Sequence, residues 1–188
     1  MTESALDRKR MAIAFILNVA MFVTGMLGWY LADSAALLAD AFDMLADASG
    51  YLVVWCAIGK GSRFQRDAAR WNGTMLIVLG IGVFIEVAHR FFSGSQPHGW
   101  LILAFACLSL AANGAVLSML MPYRDSQEVH LRATWVDTRA DVLVNVSVLV
   151  SGALIAVTGF RQIDWIVGLA IGLYVIHEGI EIWEDAGK

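Results

Sequence analysis

Leu38-Ala39-Asp40-Ala41-Phe42-Asp43-Met44-Leu45-Ala46-Asp47 and Trp135-Val136-Asp137-Thr138-Arg139-Ala140-Asp141 decide how this chain is read. Each sets aspartates four residues apart inside a long apolar run. A helix stacks residues four apart one turn above the other on one face. Each stretch therefore predicts a helix that presents a pair of carboxylates, Asp43 with Asp47 and Asp137 with Asp141. Charges inside apolar segments are costly, and they are kept where they perform chemistry.

The rest of the chain explains why those segments are apolar. Of its 188 residues, 59% are hydrophobic and 16% charged, with a mean hydropathy of +0.65. A soluble domain carries roughly a quarter charged residues. Apolar runs fall at about 11–31, 34–58, 71–92, 100–121, 133–158 and 163–183, each near the ~20 residues that cross a bilayer. The expectation is an all-α integral membrane protein of six transmembrane helices forming a single unit, 1–188. The breaks carry turn and charge signals. Asp33 or Ser34 suits the N-cap of the second helix. Arg8-Lys9-Arg10 precedes an apolar run too long for a signal core.

Basic residues set the orientation. With the N-terminus inside, the inner face holds ten of them: Arg8, Lys9, Arg10, Lys60, Arg63, Arg66, Arg70, Arg124, Arg132 and Lys188. The outer ends hold only Arg90 and Arg161. Both termini are thus expected on the cytoplasmic side, in the inner membrane if the source is prokaryotic. Trp29, Trp100, Trp165 and Trp183 lie near helix ends, as interfacial anchors do. Cys56 and Cys107 lack metal-binding spacing and read as buried thiols. No prosthetic group and no nucleic-acid partner are expected. The partners are lipid, a divalent cation and protons.

Four carboxylates brought together at low dielectric cannot all stay ionised without a counter-ion. Either protons or a metal must neutralise them, and a divalent metal that binds displaces protons. One acidic cluster can therefore serve both cations in turn, which is the physical basis of metal-for-proton exchange. The metal ligands read this way are Asp43, Asp47, Asp137 and Asp141. Asp40, one turn before the first pair, is an accessory residue for capping, proton relay or a vestibule.

Asn18 and Asn113 are mid-span amides, open to interhelical hydrogen bonds or to an accessory role in the site. Asn18 precedes Asp43, and Asn113 precedes Asp137, by almost the same interval, an echo of the kind an inverted repeat produces. Arg139 points away from its flanking aspartates and is expected to neutralise another acid such as Glu86, or to snorkel. Glu86 and Glu178 read as pairing or helix-end residues. His89, His98, His130 and His177 fall near span ends and read as incidental. Gly168-x-x-x-Gly172 permits close helix packing and offers a possible dimer seam.

The stretches 34–47 and 131–141 resemble helices 2 and 5 of the cation diffusion facilitator family. There, paired H-or-D-x-x-x-D motifs hold the transported metal. The resemblance covers the whole six-helix unit, and Asn18, Asn113 and Asp164 also look like family positions. It implies secondary active transport rather than catalysis, export of zinc or a related ion in exchange for protons, and a homodimer through the membrane domain. Two departures stand out. Family members commonly continue into a cytoplasmic metal-sensing domain, whereas this sequence stops at Lys188, so a short member without that domain is expected. Zinc members often place histidine first in a pair, whereas all four positions here are aspartate. Such an oxygen site accepts manganese or iron(II) as well as zinc and cadmium. Zinc with cadmium ranks first, manganese or iron(II) second.

The enzyme alternative is a membrane CDP-alcohol phosphotransferase, whose metal motif also closes in D-x-x-x-D. That motif needs an upstream Asp-Gly and Ala-Arg, and this region has neither. It would also leave the second aspartate pair unexplained.

Overall fold

The computed structural model describes residues 3–57, 62–125 and 129–186. Lys60, Lys188 and the side chains of His130 and Arg132 lie outside the described residues. Six helices follow one another: α1 Glu3–Ala32, α2 Ala35–Ala57, α3 Ser62–Ser93, α4 Gly99–Leu120, α5 Val129–Thr158 and α6 Gln162–Asp185. A 3-10 turn, Met121–Tyr123, follows α4. α1 and α3 begin well before their apolar runs. Their first turns are rich in Arg, Gln, Glu and Ala, good helix formers that need no lipid. Hydropathy therefore locates the span and misses its polar extension.

Among the described residues, five helices are long and apolar enough to cross a membrane. α2 is the exception among the described residues, because Asp40, Asp43 and Asp47 crowd into it. Its position removes the conflict. Ala35, Ala36, Leu37, Ala39 and Ala41 have no exposed surface. The first half of α2 is wrapped by its neighbours, whereas Leu52 and Trp55 near its end are exposed. The alanines make that wrapping possible: a Cβ on Gly25 of α1 would come within 2.9 Å of the Ala41 Cβ.

α1 packs along α2, α4 along α5, and α3 along α6. α2 also touches α3 and α6 broadly, while α2 and α5 meet over a short stretch. The α3–α6 seam is glycine-lined. A Cβ on Gly73 would lie 2.6 Å from the Gly179 carbonyl oxygen, and one on Gly80 would lie 3.0 Å from that of Gly172. Gly168 similarly abuts the Ala35 backbone at 3.0 Å. Gly168-x-x-x-Gly172 is thus consumed inside the chain, against α2 and α3, and is not a dimer seam.

Ile16, Val23, Ile85 and Val157 face outward with most of their surface exposed, as a lipid-facing belt requires. Trp100 and Trp183 are exposed near helix ends, as expected of anchors. Trp29 and Trp165 instead pack partly into the core. The Trp29 indole N–H donates to Glu86 at 3.1 Å. Trp165 stacks edge-on against Phe91. Cys107 is exposed on the outer face of α4 and Cys56 is half-buried, which corrects the expectation of buried thiols. In a membrane protein an apolar environment lies outside the bundle as well as inside it.

Polar contacts fix the outer end. Ser34, not Asp33, caps α2: its hydroxyl accepts the Leu37 N–H at 3.1 Å. Asp164 at the start of α6 reaches across and accepts the Ala35 N–H at 2.6 Å and the Ser34 hydroxyl. Two acceptors from two helices thereby satisfy the free N–H groups of a buried helix end. Asp33 adopts a left-handed backbone (φ 51°) in the α1–α2 turn and accepts from Arg90 and the Gln96 N–H. Arg90 also donates to Glu86 at 2.8 Å. Glu86 is therefore neutralised by Arg90 and not by Arg139, which is exposed and lies over the Trp135 ring at 5.9 Å. Four residues on α3 bring Glu86 and Arg90 together, whereas Arg139 enters the bilayer from the opposite side.

Asp164→Ala is expected to strip α2 of its cross-helix cap. The loss is about 2 kcal/mol, the upper range for a capping side chain. It would appear as a lower thermal midpoint in detergent, and Asp164→Asn should recover part of it.

Candidate cation site

Three helices deliver acidic groups to one region of the bundle interior. Asp43 and Asp141 are 1% and 2% exposed. The Asp47 and Asp141 carboxyl groups are in hydrogen-bonding contact, which joins α2 to α5. Two carboxyls that touch must share a proton or a cation. Asp43 lies within electrostatic reach of both. Both Asp43 oxygens, Asp47 Oδ2 and Asp141 Oδ2 are enclosed, with no hydrogen-bond partner among the described residues. Buried polar atoms are nearly always paired in folded proteins, so this group of unpaired carboxylate oxygens is exceptional.

Asp137 is placed differently. It is exposed, one turn nearer the start of α5, about 6 Å along the axis at 1.5 Å per residue. It lines a cavity of about 110 Å³ together with Asp47, Asn72 of α3 and Glu178 of α6. Among the described residues, no three acidic, histidine or cysteine side chains lie close enough to hold a metal ion as they stand. Asp43, Asp47 and Asp141 share one neighbourhood, while Asp137 stands at its edge.

The accessory residues separate into two kinds. Asp40 is 1% exposed and fully partnered. It accepts from the Ser109 hydroxyl at 2.8 Å and from the Asn145 amide at 2.7 Å. Asn113 donates to Asn145 Oδ1 at 3.1 Å, which completes a polar link among α2, α4 and α5. Asn113 thus makes the interhelical bond. Asn18 turns its amide to the Ala14 carbonyl of its own helix at 3.0 Å, leaving a buried Oδ1 with no partner among the described residues. The echo between the two asparagines does not extend to their hydrogen bonds.

Several residues here were not singled out from sequence. Asn145 lies four residues after Asp141, Tyr51 four after Asp47, and Ser109 four before Asn113. The same one-turn spacing that exposed the aspartate pairs marks them as sharing a face. Tyr51 and Thr138 hydroxyls meet at 2.7 Å and form a second α2–α5 link beside the aspartates. Glu178, expected to be a pairing or helix-end residue, lines the cavity. Of the histidines, His89, His98 and His177 are exposed.

Residues 11–188 match the family model described as the cation efflux transmembrane domain. The zinc transporter ZitB of Yersinia pestis is 26% identical over 96% of this chain and 62% of its own length. The cadmium, cobalt and zinc/H(+)-K(+) antiporter of Bacillus subtilis is 23% identical over 96% of this chain and 62% of its own. The metal cation efflux system protein CzcD of Cupriavidus metallidurans is 24% identical over 90% of this chain and 57% of its own. The chain thus spans about 60% of the length of the relatives it matches. A match over nearly all of its helices sets the phosphotransferase alternative aside. The buried acidic helix α2, the lipid-facing belt and this match together make the chain a multi-pass integral membrane protein of the cation efflux transmembrane domain family.

Proposed function

We propose that this chain carries a divalent transition-metal ion across the membrane in exchange for protons, exporting it from the cytoplasm, with zinc and cadmium the first candidates and manganese or iron(II) next. The observation that carries the reading is the set of enclosed, unpartnered oxygens on Asp43, Asp47 and Asp141. Such oxygens need a cation or a proton, and one divalent ion replaces more than one proton.

Asp137 would complete the ligand set. Like charges push α5 away from α2, and a divalent cation between them reverses that force. The short α2–α5 contact lets the two helices adjust without dismantling the broader α1–α2 and α4–α5 pairings. Protons arriving from the outer side would then compete the metal off as the bundle reopens. The relatives, a zinc transporter and a cadmium, cobalt and zinc antiporter, agree with the preferred metals.

Proteoliposomes loaded with a pH-sensitive dye test the reading. Added zinc should drive proton movement opposite to metal movement, in proportion to protein. Zinc uptake with no coupled proton signal would reduce the protein to a metal channel. Titrations with zinc, cadmium, manganese and iron(II) rank the cargo. Asp43→His and Asp137→His should shift affinity toward zinc and away from manganese, since imidazole suits zinc better than manganese. A homodimer through the membrane domain is part of the proposal, and cross-linking in liposomes would test it.

A further inference from the structure

We propose that Glu178 on α6, together with Asp137 on α5, forms a docking subsite for the divalent cation in the cavity beside Asp47. This inference rests on the exchange reading above and deepens it: it assigns the place where the cation is first held.

The position of Glu178 is the first argument. On α6, Ile171 and Val175 are buried and Ile182 packs against the same core. Ile171, Val175, Glu178 and Ile182 recur at helical spacing on one inward stripe. An apolar residue is expected at 178, and a carboxylate stands there instead. Gly179 presses α6 against α3, so the helix has little freedom to turn that carboxylate outward. A Cβ on Gly179 would lie 2.7 Å from the Gly73 carbonyl oxygen.

Surroundings supply the second argument. The electrostatic neighbours of Glu178 are Asp137 and Glu181. It also acts on Asp43, Asp47 and Asp141. Among the described residues no lysine or arginine forms an ion pair with it. A carboxylate on a core stripe, among carboxylates, at bilayer depth is held against both desolvation and repulsion. A structural role gives no reason for that arrangement, and a passing cation does.

The third argument is the cavity itself and the enclosed oxygens it reaches. Asp47 lines the same cavity, and its Oδ2 is fully enclosed with no partner among the described residues. Asp43 behind it has both oxygens unpaired at 1% exposure. The cavity thus leads from Asp137 and Glu178 to enclosed acceptors. Its lining comes from the ends of α2 and α6 and the beginnings of α3 and α5, the half of the bundle facing the basic side. No three of its acids are close enough to grip a bare ion. A cation docked there keeps part of its water and sheds it on reaching Asp47 and Asp141.

The test is zinc-dependent proton flux in proteoliposomes, with zinc titration of the detergent-solubilised protein, for wild type, Glu178→Gln, Glu178→Asp and Asp47→Asn. Glu178→Gln should raise the half-saturating zinc concentration about tenfold, a larger effect than on the maximal rate. Glu178→Asp should recover most of the affinity. Asp47→Asn should abolish transport at every zinc concentration. An unchanged half-saturation in a folded Glu178→Gln protein overturns the subsite while the exchange reading stands. Full transport by Asp47→Asn overturns the exchange reading and the subsite with it. If Glu178→Gln does not elute as a single species, Glu178→Asp decides. A twofold to threefold weakening, from a carboxylate one methylene shorter, supports the subsite, and no weakening rejects it.

Discussion

Asp141→Ala should abolish zinc-driven proton flux in proteoliposomes, lowering the initial rate at least about a hundredfold, and Asp47→Ala should do the same. Residues that only support a metal ligand are worth about 10- to 100-fold, and a ligand itself is worth more. The two carboxyls touch across the α2–α5 contact, so either change removes a ligand and the proton-sharing partner of the other. Residues that act as one unit are strongly non-additive. The double variant should therefore be no slower than either single one. Asp137→Ala should act more weakly at saturating zinc, because Asp137 is exposed and stands a turn away. Elution as a single species and an unchanged helical spectrum would separate loss of function from loss of fold. Normal flux in both single variants would remove Asp47 and Asp141 from the site.

Asp40 should behave in the opposite way: its loss should damage the fold first. Asp40→Ala leaves the Ser109 hydroxyl and the Asn145 amide buried without an acceptor. Each unsatisfied group costs about 1–3 kcal/mol, so the variant should lose about 3 kcal/mol and show a clearly lower thermal midpoint in detergent. Asp40→Asn should be far milder. Its carbonyl can still accept from Asn145, and its amide can donate to Ser109 once that hydroxyl rotates. Zinc transport by the folded fraction of Asp40→Asn should stay near wild type. If Asp40→Asn folds normally and transports nothing, Asp40 belongs to the cation and proton path and is not a brace.

The two asparagines show how far periodicity reaches. Asn113 and Asn18 look alike in sequence, each a single amide in an apolar run. One bonds across helices, because Asn145 happens to face it from α5. The other turns back on its own helix. Nothing within either helix distinguishes them, since the difference lies in which neighbour comes opposite. Glu86 makes the same point. From sequence Arg139 was one candidate partner for it, with snorkelling the alternative, and the fold gives it Arg90, four residues along the same helix and on the same side of the bilayer.

The sequence by itself determined the six apolar helices, their polar breaks, and the one-turn pairing of Asp43 with Asp47 and of Asp137 with Asp141. These are properties of residue type and of the 3.6-residue helical period, and both are local. Tertiary structure alone decided that the first half of α2 is sheathed by its neighbours, that Asp40 is satisfied while Asp43 is left with oxygens unpaired among the described residues, that Asp137 stands at the edge, and that Glu178 turns inward. Those outcomes depend on the distance and rotation of one helix against another. Glycine and alanine contacts such as Gly73 with Gly179 and Gly25 with Ala41 set them, through packing between residues far apart in the chain.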